Sequence, residues 1–265
     1  MKLCMMSCMM QGAAPEKIVQ AAVECGMDAI DWVCSRRYAP AKQLRKLSED
    51  NGLKIVAHTT LDAAFEKRDP NALDDFKYTI EYALELGAPI MMLPPFPRKE
   101  QVSLEDDRKA WTEFYAQVQP LAKAAGITLT LESTGMRNSP ITTAAEALEV
   151  LHAVPGLMCT LDPGNMETAE PAVNAYTVLK DYVVQFHLKD WKISDKPAEN
   201  FHLKRCGKYF ADAVLGEGNL DLKAFWNTVD ARGRALYVNL ETTDFARKSS
   251  AAEVLKKTAD QLRNW

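Results

Sequence analysis

Four residues that commonly ligate metals stand at or near the ends of short apolar segments. The segments LTLES, CTLDPGN, VQFHLKD and YVNLE carry Glu132, Asp162, His187 and Glu241. In a parallel barrel the carboxyl ends of the strands share one rim, so side chains distant in sequence would converge there. Three carboxylates and one imidazole suit a divalent cation such as Mn²⁺, Mg²⁺, Co²⁺ or Zn²⁺. The sequence therefore predicts a single divalent metal site, with Mn²⁺ as the first candidate.

The elements that would position these residues are separated by glycines. A glycine just past a helix supplies the left-handed cap that returns the chain to a sheet. Such glycines stand at Gly26, Gly52, Gly87, Gly126, Gly156 and Gly233. The pattern predicts strands near 2–8, 28–33, 54–60, 89–94, 128–133, 158–162, 183–188 and 235–241. It predicts helices near 15–25, 40–51, 70–86, 105–125, 143–153, 170–180, 220–231 and 249–263. Thr143 and Glu146 have the spacing of a capping box at one helix start.

This alternation predicts one α/β domain over residues 1–265, a single (β/α)8 barrel. The length of 265 residues suits that fold, for which about 250 residues are typical. Several predicted strands, such as PIMML and ALYVNL, are continuous apolar runs, as expected when helices cover parallel strands. One long connection, from Trp191 to Gly218, follows the seventh strand, and loops of that length are usually functional or mobile. We expect it to be an active-site loop.

Charge and hydropathy exclude several classes of partner. A net charge of −4 and the absence of a long basic cluster argue against nucleic acid as a partner. The longest uncharged apolar stretch, Leu3–Met10, is too short for a membrane span and lacks the pattern of a secretory signal. The six cysteines form no CxxC pair and are expected to be reduced. We expect a cytoplasmic protein that contacts neither nucleic acid nor membrane.

The ordered segments LTLES, LDPGN, HLKD, LGEGNLD and NLE resemble those of the sugar phosphate isomerase/epimerase superfamily, the xylose isomerase-like barrels. The resemblance covers essentially the whole chain and is strongest to ketose 3-epimerases and inosose dehydratases. It implies that Glu132, Asp162, His187 and Glu241 bind one divalent metal. It also implies that Glu132 and Glu241 are the catalytic acid/base pair on opposite faces of a sugar or polyol. Homo-oligomers, dimers or tetramers, are common in such enzymes.

Proton transfer explains why this residue set would be useful. A proton beside a carbonyl is removed more easily when a cation stabilises the enediolate that forms. One carboxylate removes the proton, and a second returns it to the opposite face or to a neighbouring carbon. The predicted function is therefore a metal-dependent isomerase or epimerase of a ketose or keto-polyol. A dehydratase that uses the same base, and a non-catalytic sugar-binding barrel, remain alternatives.

Further residues are candidates for substrate contact. Lys189 shares facing parity with His187 and could bind an anionic group or a hydroxyl, or neutralise carboxylates. Asn165 stands where ketose epimerases commonly have histidine, and Lys189 or Arg205 could replace their sugar-binding arginine. His58 is a further candidate, with support of the residues that contact the substrate as its alternative role. The others are Trp32 and Phe96, for which packing is the alternative, and Glu217, for which loop structure or a salt bridge is the alternative. AP endonucleases share the fold but need a histidine-rich trinuclear zinc site, which the four histidines of this chain cannot assemble.

Overall fold

The computed structural model describes residues 1–61, 63–67, 69–97, 102–242 and 250–265. Its strands are β1 (Lys2–Met6), β2 (Ala29–Asp31), β3 (Lys54–Thr59), β4 (Ile90–Met92), β5 (Thr128–Glu132), β6 (Met158–Leu161), β7 (Val183–Leu188), β8 (Asp190–Ser194), β9 (His202–Leu203), β10 (Tyr209–Ala213) and β11 (Tyr237–Leu240). Its helices are α1 (Pro15–Glu24), α2 (Ala41–Asp50), α3 (Ala63–Glu66), α4 (Ala72–Leu86), α5 (Leu104–Ala124), α6 (Ala144–Ala153), α7 (Pro163–Glu167), α8 (Ala172–Leu179), α9 (Leu222–Thr228), α10 (Ala231–Arg234) and α11 (Ala251–Leu262). Two 3₁₀ turns, Ser7–Met10 and Ser35–Arg37, follow β1 and β2.

Eight of the strands form a closed parallel barrel in the order β1-β11-β7-β6-β5-β4-β3-β2. The barrel closes where β1 pairs with β11, with Leu3 opposite Val238. Outward-facing side chains such as Ile30, Phe186 and Leu131 are buried against the surrounding helices, which explains why the strands read as apolar runs. The predicted eight-stranded (β/α) barrel is confirmed. Among the described residues, no helix is both long and apolar enough to cross a membrane.

The helix signals in the sequence have the expected local structures, with one exception. Thr143 and Glu146 form the predicted capping box at the start of α6. Positive φ angles occur at Gly26, Gly52, Gly87, Gly126 and Gly156. The prediction for Gly233 was wrong, because this residue lies inside the short helix α10 and its N–H donates to Asp230 Oδ1 at 2.9 Å. A side chain there would meet Val229 and Tyr176, so close packing is the reason for that glycine.

The segment predicted as a long loop contains a small antiparallel sheet with strand order β8-β10-β9. Trp191 in β8 pairs with Asp212 in β10. Asp190 fixes the return of the chain, since the N–H groups of Gly216 and Gly218 donate to its Oδ2 at 2.9 and 3.0 Å. The segment is therefore an ordered structure attached to the barrel rim, immediately after β7.

Candidate metal centre

Three of the four predicted ligands converge at the carboxyl ends of barrel strands. Glu132 is the last residue of β5, His187 lies near the end of β7, and Glu241 follows β11. One ligand atom from each lies within 4.8 Å of the others. Nδ1 of His187 is 2.9 Å from Glu132 Oε1 and 3.8 Å from Glu241 Oε2. The shared rim of the barrel thus places an imidazole between two carboxylates.

The atoms facing this centre fit a divalent cation. Glu132 Oε1 and His187 Nδ1 are both buried and lack a hydrogen-bond partner among the described residues, although they are close. A buried polar atom without a partner costs about 1–3 kcal/mol, so such atoms indicate a group that binds there. Two ligands about 2.1 Å from one ion and roughly at right angles are separated by about 3 Å. The contact therefore has the dimensions of two ligands on one ion.

Asp162 lies beside the cluster and presents one free oxygen. Its Oδ1 accepts the backbone N–H groups of Gly164 and Asn165 at 2.7 and 3.3 Å and caps α7. Its Oδ2 is buried without a partner among the described residues. Burial, together with the charges of Glu132 and Glu241, raises the pKa of Asp162 to about 7. The cap and the ligand interpretation of Asp162 are thus compatible, because each uses a different oxygen.

The charged groups at the centre shift one another's pKa values. Burial lowers the pKa of His187, but the carboxylates of Glu132, Glu241 and Asp31 together raise it to about 9. Nζ of Lys189 lies 2.7 Å from Glu241 Oε1. Burial raises the pKa of Glu241, but Lys189 and His187 outweigh it and hold that pKa below its ordinary value. Glu241 is therefore ionised at neutral pH, with one oxygen on Lys189 and the other facing His187.

Sequence reasoning missed a polar layer beneath the cluster. Asp31, at the end of β2, accepts hydrogen bonds from Thr59 and from Asn239 Nδ2, the latter at 3.1 Å. Nε2 of His187 lies 3.4 Å from Asn239 Nδ2 and 3.9 Å from Asp31 Oδ2. The Nε2 side of the His187 ring thus faces the barrel interior, and Nδ1 faces Glu132. The sequence signals for this layer were two polar residues inside apolar runs, Asp31 in AID and Asn239 in YVNL.

A cavity of about 190 Å³ opens onto the cluster. It is lined by Phe96, Glu132, Thr134, Gly135, Met136, Asn165, Lys189, Trp191, Lys204 and Glu241. The structure thus brings three predicted substrate residues, Phe96, Asn165 and Lys189, to the same space as the two glutamates. Trp191 and Lys204 were not predicted as contacts, although both lie in the segment expected to form the active-site loop.

Comparison with known proteins identifies the family. A family model described as xylose isomerase-like TIM barrel matches residues 19–265. The chain belongs to this family. No curated protein matches it by sequence.

Solved structures of xylose isomerase-like barrels superimpose over the whole chain. The IOLI protein with a bound zinc atom is 17% identical, with a TM-score of 0.81 and coverage of 100% of this chain and 97% of that chain. The D-psicose 3-epimerase from Clostridium cellulolyticum H10, solved with D-tagatose, is 15% identical, with a TM-score of 0.80 and coverage of 100% and 99%. The probable 3-DHS dehydratase AsbF from Bacillus anthracis is 19% identical, with a TM-score of 0.77 and coverage of 100% and 99%. At these identities the likeness establishes the fold alone.

Two predicted substrate residues of this xylose isomerase-like barrel point away from the cavity. Trp32 is fully buried, and its Nε1 donates to Ser48 Oγ of α2 at 3.1 Å. The His58 ring lies 5.3 Å from the ring of Tyr82 in α4, and its Nδ1 is 2.6 Å from Trp32 O. Burial lowers the pKa of His58 to about 4, so the ring is neutral. The structure therefore does not bring Trp32 or His58 to this cavity, because both face the surrounding helices.

Arg205 and Glu217 also lie outside the cavity lining. Arg205 Nη1 binds Glu146 Oε1 at 2.6 Å, and its Nε donates to Arg137 O at 3.2 Å. These contacts tie the small sheet to the start of α6. Glu217 pairs with Lys257 of α11 at the surface. The structure therefore does not bring these two predicted residues to the cavity lining, because the charged group of each is held by another part of the protein.

Replacing Asp162 by asparagine is expected to separate its two interactions. Asparagine keeps a side-chain oxygen for the α7 cap, since it is as good a cap as aspartate, but loses the negative charge. We expect the fold to persist and the affinity for Mn²⁺ to fall. The loss should exceed the roughly 10–100-fold that is typical when a residue hydrogen-bonded to a metal ligand is mutated. Calorimetric Mn²⁺ titration, with circular dichroism as the check on folding, measures both. Unchanged affinity would assign Asp162 to the cap alone.

Proposed function

We propose that this protein is a divalent-metal-dependent isomerase or epimerase acting on a ketose or related keto-polyol. The observation that carries the proposal is the convergence of Glu132 and Glu241 on His187 at a cavity of small-molecule size. Two carboxylates at one point can remove a proton and return it. The proposed enzyme is a single cytoplasmic domain over residues 1–265 that could assemble into dimers or tetramers.

The residues proposed to hold the cation are Glu132, Asp162, His187 and Glu241. A divalent cation bound there would polarise a carbonyl and so acidify the adjacent C–H bond. Which cation serves is part of the proposal, with Mn²⁺ first and Mg²⁺, Co²⁺ or Zn²⁺ as alternatives. The zinc atom in the related IOLI protein supports a divalent ion without choosing among these.

Glu241 is proposed as one member of the acid/base pair. Lys189 keeps its carboxylate ionised and so ready to accept a proton. Glu132, on β5, is proposed as the other member, which would donate or accept the proton from the opposite side of the substrate. A carboxylate beside a cation is a weak base, and a bound cation would compensate by making the C–H bond more acidic.

The cavity walls support binding of a small polar molecule. Asn165 and Lys189 offer an amide and an ammonium group to hydroxyl or carbonyl oxygens. Phe96 and the indole of Trp191 supply apolar surface beside the polar groups. These features support a sugar-like substrate, as does the D-tagatose bound by the related 3-epimerase.

A dehydratase is the second candidate. The structural relative named as a probable 3-DHS dehydratase covers the whole chain, which supports keeping this alternative. The same base would remove a proton, and a hydroxyl on the neighbouring carbon would leave. The two reactions share their first step and differ in the product.

Hydrogen–deuterium exchange observed by NMR tests the proposal. Mn²⁺-loaded protein in D₂O would be incubated with a panel of ketoses, inososes and keto acids, beside a metal-stripped control. The expected result is metal-dependent loss of one C–H signal, and the product then separates epimer, isomer and dehydrated compound. Ligand binding without exchange across the panel would favour the non-catalytic sugar-binding barrel.

A further inference from the structure

A buried lysine whose ammonium group has no hydrogen-bond or ion-pair partner among the described residues lies in the cavity wall. Lys204 follows β9 and only 9% of its surface is exposed. Its Nζ makes no hydrogen bond or ion pair with any residue inside the described ranges, and it lies over the indole of Trp191, 4.8 Å from the ring centroid. Lysine is rarely buried unless it is paired. The ammonium group of Lys204 is therefore available to a negative group in the cavity.

The surroundings hold Lys204 in place. Its backbone N–H donates to Lys208 O at 2.9 Å, and its carbonyl accepts from Gly207 at 3.1 Å, which closes a tight turn. The Trp191 indole beneath it is fixed by a hydrogen bond from Nε1 to Gly164 O at 2.9 Å. A charged group carried on a turn and packed on an immobile indole is positioned before any ligand arrives.

The other cavity lysine does not share this property. Lys189 Nζ lies 5.6 Å from the centroid of the Trp191 ring, over which Lys204 Nζ lies at 4.8 Å. Both ammonium groups are therefore close to the same indole. Lys189 is paired with Glu241 at 2.7 Å. Burial lowers the pKa of Lys204, and the exposed Asp212 on β10 only partly offsets this effect. Lys204 is thus the lysine whose charge the cavity leaves unmatched.

Charge balance points in the same direction. A divalent cation and Lys189 together balance the charges of the three carboxylates proposed as ligands. Asp31, beneath the cluster, accepts hydrogen bonds from Thr59 and Asn239 and does not line the cavity. The charge of Lys204 then gives the loaded cavity an excess positive charge, which attracts an anion and adds nothing to the binding of a neutral sugar.

We propose that the substrate of the reaction proposed above carries an anionic group, a carboxylate or a phosphate, which binds Lys204. The inference rests on the proposed function for the chemistry at the metal, but the anion site itself rests on the position of Lys204. The substrate class is thereby narrowed from keto-polyols in general to keto-sugar acids or sugar phosphates. Lys204 sets specificity in this scheme, and the carboxylates perform the proton transfer.

Binding measurements with matched ligands test the inference. Mn²⁺-loaded protein would be titrated calorimetrically with fructose, 2-ketogluconate and fructose 6-phosphate. A charge-assisted hydrogen bond predicts about tenfold or greater preference for at least one anionic ligand over fructose. Which of the two anions binds more tightly distinguishes carboxylate from phosphate. Equal affinity for all three in the wild-type protein would overturn the inference without any mutant.

The variant Lys204→Met removes the charge and keeps an unbranched side chain that is one heavy atom shorter. We expect it to reduce affinity for the preferred anion about tenfold and to leave fructose binding unchanged, while Lys204→Arg retains the preference. Lys208→Met is the matched control, because Lys208 is an exposed lysine in the same turn between β9 and β10 and its side chain faces Asp195. Equal loss in both methionine variants would indicate a general charge effect and contradict a site at Lys204.

Deuterium exchange on the same ligands separates this inference from the proposed function. Lys204-dependent anion binding without C–H exchange would retain the anion site and reject the isomerase or epimerase. Suppose instead that the protein exchanges a C–H proton of fructose, that Lys204→Met leaves this rate unchanged, and that no anionic ligand is preferred. That result would support the proposed enzyme and reject the anion site.

Discussion

Replacing Glu241 by glutamine is expected to reduce metal-dependent C–H exchange by a factor of about a thousand or more. General acid–base catalysis alone contributes roughly 10²–10⁴-fold, and glutamine can neither accept the proton nor offer a charged ligand. The amide has nearly the same shape and can still accept a hydrogen bond from Lys189, so the barrel should fold. The measurement is the NMR exchange rate, with metal content determined on the same sample. Lost exchange with retained metal assigns Glu241 to proton transfer, whereas lost metal assigns it first to binding the ion.

Glu217→Gln provides the matched control for this prediction. Glu217 is also a glutamate near the barrel rim, but its carboxylate pairs with Lys257 at the surface and is absent from the cavity lining. Removal of an exposed ion pair changes stability by about 1 kcal/mol or less. We expect full exchange activity in this variant. Full activity in Glu241→Gln as well would remove Glu241 from the proposed machinery.

The convergence of the three candidate metal ligands could be predicted, because one rule of the fold brings them together. Glu132, His187 and Glu241 are distant in sequence, but each stands at the carboxyl end of a strand in a parallel barrel. Such ends share a rim whatever the helices between them contain. The resemblance to known barrels supplied roles for these residues, and the structure supplied the contact between Glu132 and His187.

The face of the barrel to which an individual side chain points was harder to predict than its position along a strand. Thr59 points into the barrel, where it donates to Asp31, so its neighbour His58 must point outwards. The sequence KIVAHT does not state which face is interior, because both faces of a parallel barrel strand are covered. Trp32 follows β2 and likewise packs against α2. A residue can thus stand near the correct rim and still miss the cavity.

The cavity contacts of Trp191 and Lys204 depend on pairings that short sequence patterns do not encode. Trp191 in β8 pairs with Asp212, and Lys204 lies beyond the two-residue strand β9. Such short strands lack a clear alternation of apolar and polar residues, so the segment was predicted as a loop. Only the assembled sheet places both side chains in the wall of the cavity that Glu132 and Glu241 also line.

Metal-free protein is expected to lose stability as the pH rises from 5 to 9. The pKa of Asp162 is raised from 3.8 to about 7 in the folded chain, and that of His187 from 6.5 to about 9. A raised pKa means that the fold favours the protonated form, so the contribution is present at low pH and lost as the pH passes the folded pKa. The lowered pKa of Glu241 acts in the opposite direction, but its effect lies below its ordinary value of 4.5. The loss therefore spans the interval from about pH 5 to pH 9.

The expected size is a few kcal/mol, since one pKa unit corresponds to about 1.36 kcal/mol. Denaturant unfolding with chelator present, at pH 5, 7 and 9, measures it. Asp162→Asn should remove most of the loss between pH 5 and 7 and keep the loss between about pH 6.5 and 9 that belongs to His187. Saturating Mn²⁺ should reverse the trend, because a cation replaces the protons on these groups and binds better once they are deprotonated. A metal-free protein with pH-independent stability would mean that the carboxylates and the imidazole do not share one buried site, and the metal centre would then lose its main physical support.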